Sequence, residues 1–390
     1  MDVMTRKLFY EDSHMQEFEA EVLSCEPSGD GYEIILNETA FFPEGGGQYA
    51  DTGWLGTVRV TDAHEKGGIV RHMADGPLEP GTRVEGRIDW AERFEKMQQH
   101  SGEHIISGLV HRKFGYDNVG FHLGSGYCTI DFNGPITKEE LKEIEELANE
   151  AVFRDLDLEV AYPSKEELKN MDYRSKIEIE GQVRIVTVPG YDVCACCAPH
   201  VDRTGEIGLI KLTDMVNYKG GERINMLCGI RALKDYQQKE SNVKAVSALL
   251  CAKEDEAAVA VCHLKEEHIQ QKGKLASLQQ KLIAYKAAEI GADGGRVVVF
   301  DSELAGSGPR ELMNLLLDKG AHVCAVLAGT GGDGYRYVIG SRTEDVRPLC
   351  KELNGRFFGR GGGKKEMVQG SLSGEEEEIR SLIESWQAVL

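Results

Sequence analysis

Two short runs of metal-ligating side chains, far apart in the chain, restrict its fold more than any other feature. His100-Ser-Gly-Glu-His104 lies in a stretch after Trp90 where Phe94, Met97, Ile105 and Leu109 recur at helical spacing, so its imidazoles stand one turn apart on one helix face. Cys194-Ala-Cys-Cys-Ala-Pro-His200 supplies thiolates and another imidazole, and Cys196 and His200 repeat the spacing of the histidine pair. Cys and His are the ligands that Zn²⁺ prefers. One ion held by both runs would require the fold to bring residues 100–104 and 196–200 together. Cys194 and Cys197 compete with Cys196 as the sulfur ligand, and spacing leaves that choice open. Four protein ligands suit a closed structural site, whereas catalysis needs an exchangeable position.

At 390 residues the chain exceeds the usual size of one compact domain. Residues 1–89 hold strand-like runs (Gly31–Leu36, Thr57–Thr61, Gly68–Arg71, Val84–Ile88) broken by glycine and proline, the pattern of a small β-barrel. Residues 90–235 switch to a helix, a strand at Tyr127–Phe132 and a second helix from Thr137 to Arg154, opened by the capping pattern Thr137-Lys-Glu-Glu140. Residues 236–290 lack proline, and Val261, Leu264, His268, Leu275, Leu278, Leu282 and Tyr285 fit an a/d seam. That predicts a helical hairpin or coiled-coil linker, broken near Lys253-Glu-Asp-Glu256, with a seam through which two copies could pair. Residues 291–390 alternate apolar strands (Arg296–Phe300, His322–Leu327, Tyr337–Ile339) with helices at Pro309–Lys319 and Glu375–Val389, as in a small α/β domain. The expected class is α+β and multidomain: a barrel, an α/β domain carrying the ligand runs, a helical linker and a terminal α/β domain.

Lys and Arg number 45 against 65 Asp and Glu, a net charge of -20 that disfavours nonspecific coating of polyanions and leaves only locally basic patches for nucleic acid. No apolar run reaches the ~20 residues of a membrane span, so no membrane partner is expected. Met1–Tyr10 has no apolar signal core and the ten cysteines do not form a small secreted framework, which points to a reducing cytoplasm.

Phe41-Phe-Pro-Glu-Gly-Gly-Gly-Gln48 followed by Asp51-Thr-Gly53, then His100-x-x-x-His104, then Cys196-x-x-x-His200-Val201 with Thr204-Gly-Glu-Ile-Gly208, resembles in order and spacing the editing domain of alanyl-tRNA synthetase. With no class II aminoacylation region ahead of these motifs, the expected match is the free-standing alanyl-tRNA editing family, AlaX. The helical linker and the tail Gly359-Arg-Gly-Gly-Gly-Lys-Lys-Glu-Met-Val-Gln-Gly370 resemble the synthetase's C-terminal DHHA1 domain, which marks the long form. Cys197-Ala-Pro199 stands where the synthetase usually has Gly-Gly-Thr, and Ser101-Gly-Glu103 replaces a Thr-containing insert. The resemblance implies that His100, His104, Cys196 and His200 hold one zinc per chain, and that the reaction is hydrolysis of the ester joining serine or glycine to tRNA for alanine.

Thr39 matches a family position whose hydroxyl meets the serine side chain, which would let the site reject alanine for lack of a hydroxyl. Gln48 could orient water or the terminal ribose. Gly45-Gly-Gly47 allows close backbone approach, and its bland reading is a tight barrel turn. Glu103 is the further catalytic candidate, because His100-x-x-Glu103-His104 also fits the inverted metalloprotease pattern with Glu103 as general base. That alternative leaves Cys196 and His200 unexplained. In the tail, Arg356, Arg360, Lys364 and Lys365 flank glycines and the aromatics Phe357 and Phe358, a composition suited to contacting tRNA. Gly329-Thr-Gly-Gly-Asp-Gly334 has the form of a dinucleotide loop, but the strand-like Tyr335–Ile339 follows where a helix is needed, so a hairpin is expected.

Overall fold

The computed structural model describes residues 4–124, 126–175, 181–330 and 334–387, a mixed α+β chain with several sheets. They form two compact units, Met1–Ala245 and Val246–Leu390.

The first unit opens with β1 (Arg6–Lys7), β2 (Glu17–Ser28), β3 (Gly31–Leu36), β4 (Glu38–Thr39), β5 (Gly53–Leu55), β6 (Val58–Lys66), β7 (Ile69–Ala74) and β8 (Arg83–Ile88). β1 pairs with β4, and the other six close into a barrel in the order β2-β3-β7-β6-β5-β8. In β2 the alternation is explicit: Phe18, Ala20 and Val22 point inward while Glu17, Glu19 and Glu21 face water. Phe18, Ile34, Leu36, Phe41, Leu55 and Val60 fill the interior.

Next come α1 (Trp90–Phe114), β9 (Asn118–Leu123), β10 (Cys128–Phe132), α2 (Lys138–Arg154), β11 (Glu159–Ala161), the short α3 (Lys165–Leu168), β12 (Ile185–Val188), β13 (Asp192–Ala195), β14 (Ile210–Tyr218), β15 (Gly221–Cys228) and α4 (Gly229–Leu250). Strands β14-β15-β10-β9 form one sheet and β11-β12-β13 another. Helix α2 starts where the sequence places it, because the Thr137 hydroxyl accepts from Glu140 N while the Glu140 carboxylate accepts from Thr137 N. Helix α1 is enclosed: every residue from Met97 to Val110 is buried, and Met97, Ile105, Ile106 and Val110 share a core with Ile130, Ile144, Ile207 and Ile224.

Barrel and helix are joined by a buried ion pair. Arg93, fully buried on α1, donates Nε to Asp51 Oδ2 at 2.8 Å and its NH2 to the same carboxylate. NH2 also reaches Ala40 O at 2.6 Å and NH1 reaches Ser13 O at 3.1 Å, while Asp51 Oδ2 accepts from Phe42 N at 2.7 Å. The Phe41-Phe42-Pro43 segment is thereby fixed against the helix that carries the histidines.

The second unit contains α5 (Ala257–Glu289), β16 (Arg296–Phe300), α6 (Gly308–Asp318), β17 (Val323–Thr330), β18 (Gly334–Ser341), α7 (Arg347–Arg356), β19 (Arg360–Lys364), β20 (Met367–Leu372) and α8 (Glu376–Ser385). Its sheet runs β16-β17-β18-β20-β19, parallel only between β16 and β17. One face packs on α6 and the end of α5 through Ile283, Leu312, Met313 and Leu316, the other on α7 and α8 through Leu349, Leu353, Ile379 and Ile383.

A short turn at Glu254–Glu256 precedes α5, at the break expected in the helical stretch, and the seam residues Val261, Leu264, Leu275, Leu278, Leu282 and Tyr285 are exposed. Thr330 and Gly334 end one antiparallel pair, so the glycine-rich run joins hairpin strands, with residues 331–333 of that expected turn outside the described residues. The last helix stops at Ser385, short of the expected Val389, and residues 388–390 lie outside the described residues. The glycine-rich tail around Gly359–Gly370 forms the strands β19 and β20. No helix among the described residues is long and apolar enough to cross a membrane.

Replacing Arg93 by Met should strand the Asp51 carboxylate in the core and cost about 3–5 kcal/mol of unfolding free energy in urea titrations. Adding Asp51→Asn should recover a large part of that loss. Equal stability of Arg93→Met and the parent would contradict the role given to this pair.

Candidate metal centre

The two ligand runs converge. Helix α1 presents His100 and His104 one turn apart, and the loop after β13 brings in Cys196 and His200, so that one ligand atom from each lies within 4.8 Å of the others. Cys196 Sγ is 3.5 Å from His100 Nε2 and 3.3 Å from His200 Nε2. With metal–sulfur and metal–nitrogen bonds of about 2.3 and 2.05 Å, the S···N edge of a tetrahedron is about 3.6 Å. The donor set therefore fits a small tetrahedral cation.

The sulfur choice left open by spacing is decided by the end of β13 at Ala195. Cys194, still in the strand, is buried beside Asp192 and His104; Cys196 lies beyond it, between the imidazoles; Cys197 is exposed. Burial alone would raise the Cys196 thiol, but the charge and hydrogen bonding of the surrounding imidazoles, His100 first, outweigh it and hold it well below the ordinary thiol range. Burial pushes the Cys194 thiol up. Burial likewise pushes His200 down to about 3, keeping its ring neutral. Cys196 is thus the thiolate of the three, the form that binds metal.

Each imidazole is backed at Nδ1 by a different group. Gln48 Oε1 lies 3.2 Å from His100 Nδ1, and Ser101 Oγ lies 3.0 Å from His200 Nδ1 while accepting from Val201 N at 3.2 Å. Asp192 Oδ2 is 3.1 Å from His104 Nδ1, in ion-pair range but off the N–H axis. Arg174 grips Asp192 with two hydrogen bonds of 2.7 and 2.8 Å, so this carboxylate, though buried, is compensated and stays below the usual carboxylate range. Gly108 makes room for this arrangement, since a Cβ there would lie 2.3 Å from Tyr191 O and 2.8 Å from Asp192 Cβ. With Nδ1 carrying the proton, each ring offers the Nε2 lone pair to an ion.

Above the donors opens a cavity of about 700 Å³. His100, His104 and Cys196 form its floor, Gly46 and Gly47 one rim, and Tyr10, Phe121 and Tyr162 its apolar walls, with Lys7 and Arg184 adding positive charge. Gly45 and Gln48 close a two-residue turn whose central Gly46 and Gly47 have φ of +61° and +81°, and a Cβ at Gly47 would lie 2.9 Å from the Phe121 ring. The bland reading of a tight turn therefore holds, and the close approach that the glycine permits here is to the Phe121 ring.

Two of the expected catalytic residues sit behind this cavity. Glu103 is buried, accepting from Ser107 Oγ at 2.7 Å and from Asn118 Nδ2, with Oε2 3.9 Å from His104 Nε2. Gln48 is buried behind His100. Thr39 is placed elsewhere, wholly buried in the barrel, where its hydroxyl lies 2.9 Å from His72 Nε2 and accepts from Phe41 N at 3.1 Å. His72 Nδ1 faces Ile34 O at 3.1 Å, so the neutral ring donates there and accepts from Thr39, leaving that hydroxyl no donor for a ligand. Arg356, Arg360, Lys364 and Lys365 lie in the second unit and do not form one cluster: Arg356 ends α7, Arg360 and Lys364 are on β19, and Lys365 is in the turn after it. Sequence reasoning missed Asp192, Arg174, Arg184 and the aromatic walls, for which no spacing signal exists.

Comparison with known proteins gives the same direction. The family described as threonyl and alanyl tRNA synthetase second additional domain matches residues 183–228, the segment holding Cys196 and His200, and the family described as tRNA synthetases class II (A) matches residues 5–92. The alanyl-tRNA editing protein Aarsd1 of Rattus norvegicus is 28% identical over 96% of both chains, and that of Mus musculus 29% over 93% of both. The alanine–tRNA ligase of Pyrobaculum neutrophilum is 31% identical over 97% of this chain, which spans 44% of the ligase. The resemblance to alanyl-tRNA editing proteins thus runs along nearly the whole chain.

Two outcomes follow from the geometry. Cys196→Ser should reduce bound metal well below one ion per chain in elemental analysis, while Cys194→Ser and Cys197→Ser retain it; full loading of Cys196→Ser would refute the ligand set. Burial holds His72 neutral down to about pH 4, whereas the unfolded chain takes up this proton near 6.5. His72 stability is therefore complete above about pH 6.5 and declines as pH falls toward 4, by on the order of 3 kcal/mol. The stability gap between the parent and His72→Gln, followed by denaturant titration, should shrink over that window.

Proposed function

We propose that the chain is a zinc-dependent deacylase that hydrolyses serine or glycine from mischarged tRNA for alanine, acting in trans on tRNA charged elsewhere. The observation that carries this reading is the convergence of one thiolate and three imidazoles at the floor of a cavity wide enough for an aminoacyl ester. The identity of the relatives supports the substrate class.

Cys196, His100, His104 and His200 would hold the zinc, which when bound supplies a Lewis acid able to orient the aminoacyl group or polarise water. The chain's own residues do the rest. Tyr10, Phe121 and Tyr162 enclose the ester and limit water to the molecule that reacts. Water oxygen bonds to the carbonyl carbon, the ester C–O bond breaks, and the ribose hydroxyl leaves with a proton. Arg184 NH1 donates to Cys196 O and Ala198 O, both at 2.9 Å, and so fixes the ligand loop beneath the substrate. Gln48 and Glu103 act through the histidines and not on the ester. Arg360 and Lys364, with Arg356 and Lys365, would hold the body of the tRNA.

The metalloprotease alternative fares worse, because its general base must face the ion, whereas Glu103 is engaged by Ser107 and Asn118.

The test is deacylation of Ser-, Gly- and Ala-charged tRNA for alanine. The first two should be turned over and the third spared; a chelator should stop turnover and added zinc restore it. Unaltered turnover in a protein shown to be free of metal, or attack on Ala-charged tRNA at the same rate, would contradict the proposal.

A further inference from the structure

A buried arginine needs a carboxylate beside it, because an unpaired charge away from water is costly. Arg93 has Asp51, and Arg231, also buried, places Nε 2.7 Å from Glu95. Arg174 gives Nε and NH2 to the two oxygens of Asp192 at 2.7 and 2.8 Å. Arg184 departs from this pattern. It is only 9% exposed, yet among the described residues no carboxylate lies in ion-pair range of it. NH1 is spent on the neutral carbonyls of Cys196 and Ala198, while Nε is buried without a partner and NH2 makes no hydrogen bond among the described residues.

The unspent Nε and NH2 form the same edge that Arg93 and Arg174 turn to carboxylates, and this fork matches two oxygens of a carboxylate or a phosphate. Arg184 lines the cavity above the metal donors. Lys7, the other cation there, is already answered by Glu65 at 2.6 Å. Both cations lie over the Tyr10 ring, Arg184 Cζ 5.4 Å and Lys7 Nζ 5.6 Å from its centroid, and Phe9 packs edge-on against that ring. Cys196 joins the two parts of the site, since its thiolate is among the donors and its carbonyl is held by Arg184. The cavity thus carries a positive charge that the chain leaves unmatched, and the missing counter-charge has to arrive with the ligand. A serine or glycine ester brings none: its amino group is cationic, and ribose and adenine are neutral. The standing negative charge nearest the ester is the phosphodiester on the 5′ side of the terminal ribose.

We propose that Arg184 is the residue of the cavity that receives this phosphodiester, through its Nε and NH2 edge, and so sets the terminal nucleotide in place over the metal donors. The inference rests on the reading that the chain acts on aminoacyl-tRNA, and it assigns one group of that substrate to one side chain. The bond is made in the bound ester and in the transition state alike, so its loss raises KM more than it lowers kcat. It also lets the cavity prefer an aminoacyl nucleotide to a simple amino acid ester, which has no phosphate to offer.

The test uses the full-length, metal-loaded protein and two probes of the same shape: the dinucleotide cytidylyl-(3′→5′)-adenosine and its uncharged methylphosphonate analogue. Affinities come from ligand-observed NMR titration. The parent should bind the phosphodiester about tenfold or more tightly than the methylphosphonate, as expected for a charge-assisted fork. Arg184→Gln should bind the two alike. Because NH1 also holds the ligand loop, metal content and thermal melting are followed in parallel, and Arg184→Lys serves as the second variant. An ammonium can hold the loop carbonyls but has no second edge, so this variant should keep its metal and lose most of the preference. Equal affinity of the parent for both probes would overturn the proposal, as would a full preference surviving in Arg184→Lys and Arg184→Gln; either result would leave deacylation untouched. A parent that shows the preference through Arg184 yet removes no amino acid would instead sink the editing reading and leave this one standing.

Discussion

A polar helix buried on every side is the constraint on which the first unit depends. Helix α1 carries Arg93, Lys96, Gln99, His100, Ser101, Glu103, His104 and Ser107 into the interior, and each such group costs free energy unless it finds a partner. The partners come from all around it: Asp51 and Ala40 from the barrel side, Cys228 O for Gln99, Asn118 for Glu103, Asp192 beside His104, and Val201 N for Ser101. The barrel, both sheets and the ligand loop are fixed in place by satisfying one helix. A metal centre gains from this, because ligands whose second nitrogens are already held need little rearrangement to bind.

The same logic explains how much was legible beforehand. Ligand spacing identified the runs at 100–104 and 196–200, the capping pattern located the start of α2, and the charged break at 253–256 separated α4 from α5, because each is encoded within a few residues. Asp192, Arg174 and His72 were invisible for the opposite reason: their partners lie elsewhere in the sequence, and nothing local marks a charged or titratable side chain as buried. Thr39 shows the cost. Its place before Phe41-Phe42-Pro43 suggested a hydroxyl facing substrate, yet β7 passes close enough for His72 to claim it. The choice among Cys194, Cys196 and Cys197 likewise turned on where β13 ends, which spacing does not state.

The second unit makes the complementary point about charge. Composition argued against polyanion binding, and the tail cluster was read as a set of neighbours along the chain. Strand register redistributes it, separating Arg356 and Lys365 from Arg360 and Lys364 and adding Arg336 from two strands away.

The central claim is that one thiolate and three imidazoles bind a single ion at the cavity floor. X-ray absorption at the metal edge of the protein as purified tests this most directly. The account predicts four-coordinate zinc with one sulfur at about 2.3 Å and three nitrogens at about 2.0 Å. A first shell with two or three sulfurs, or one made mainly of oxygens, would contradict it.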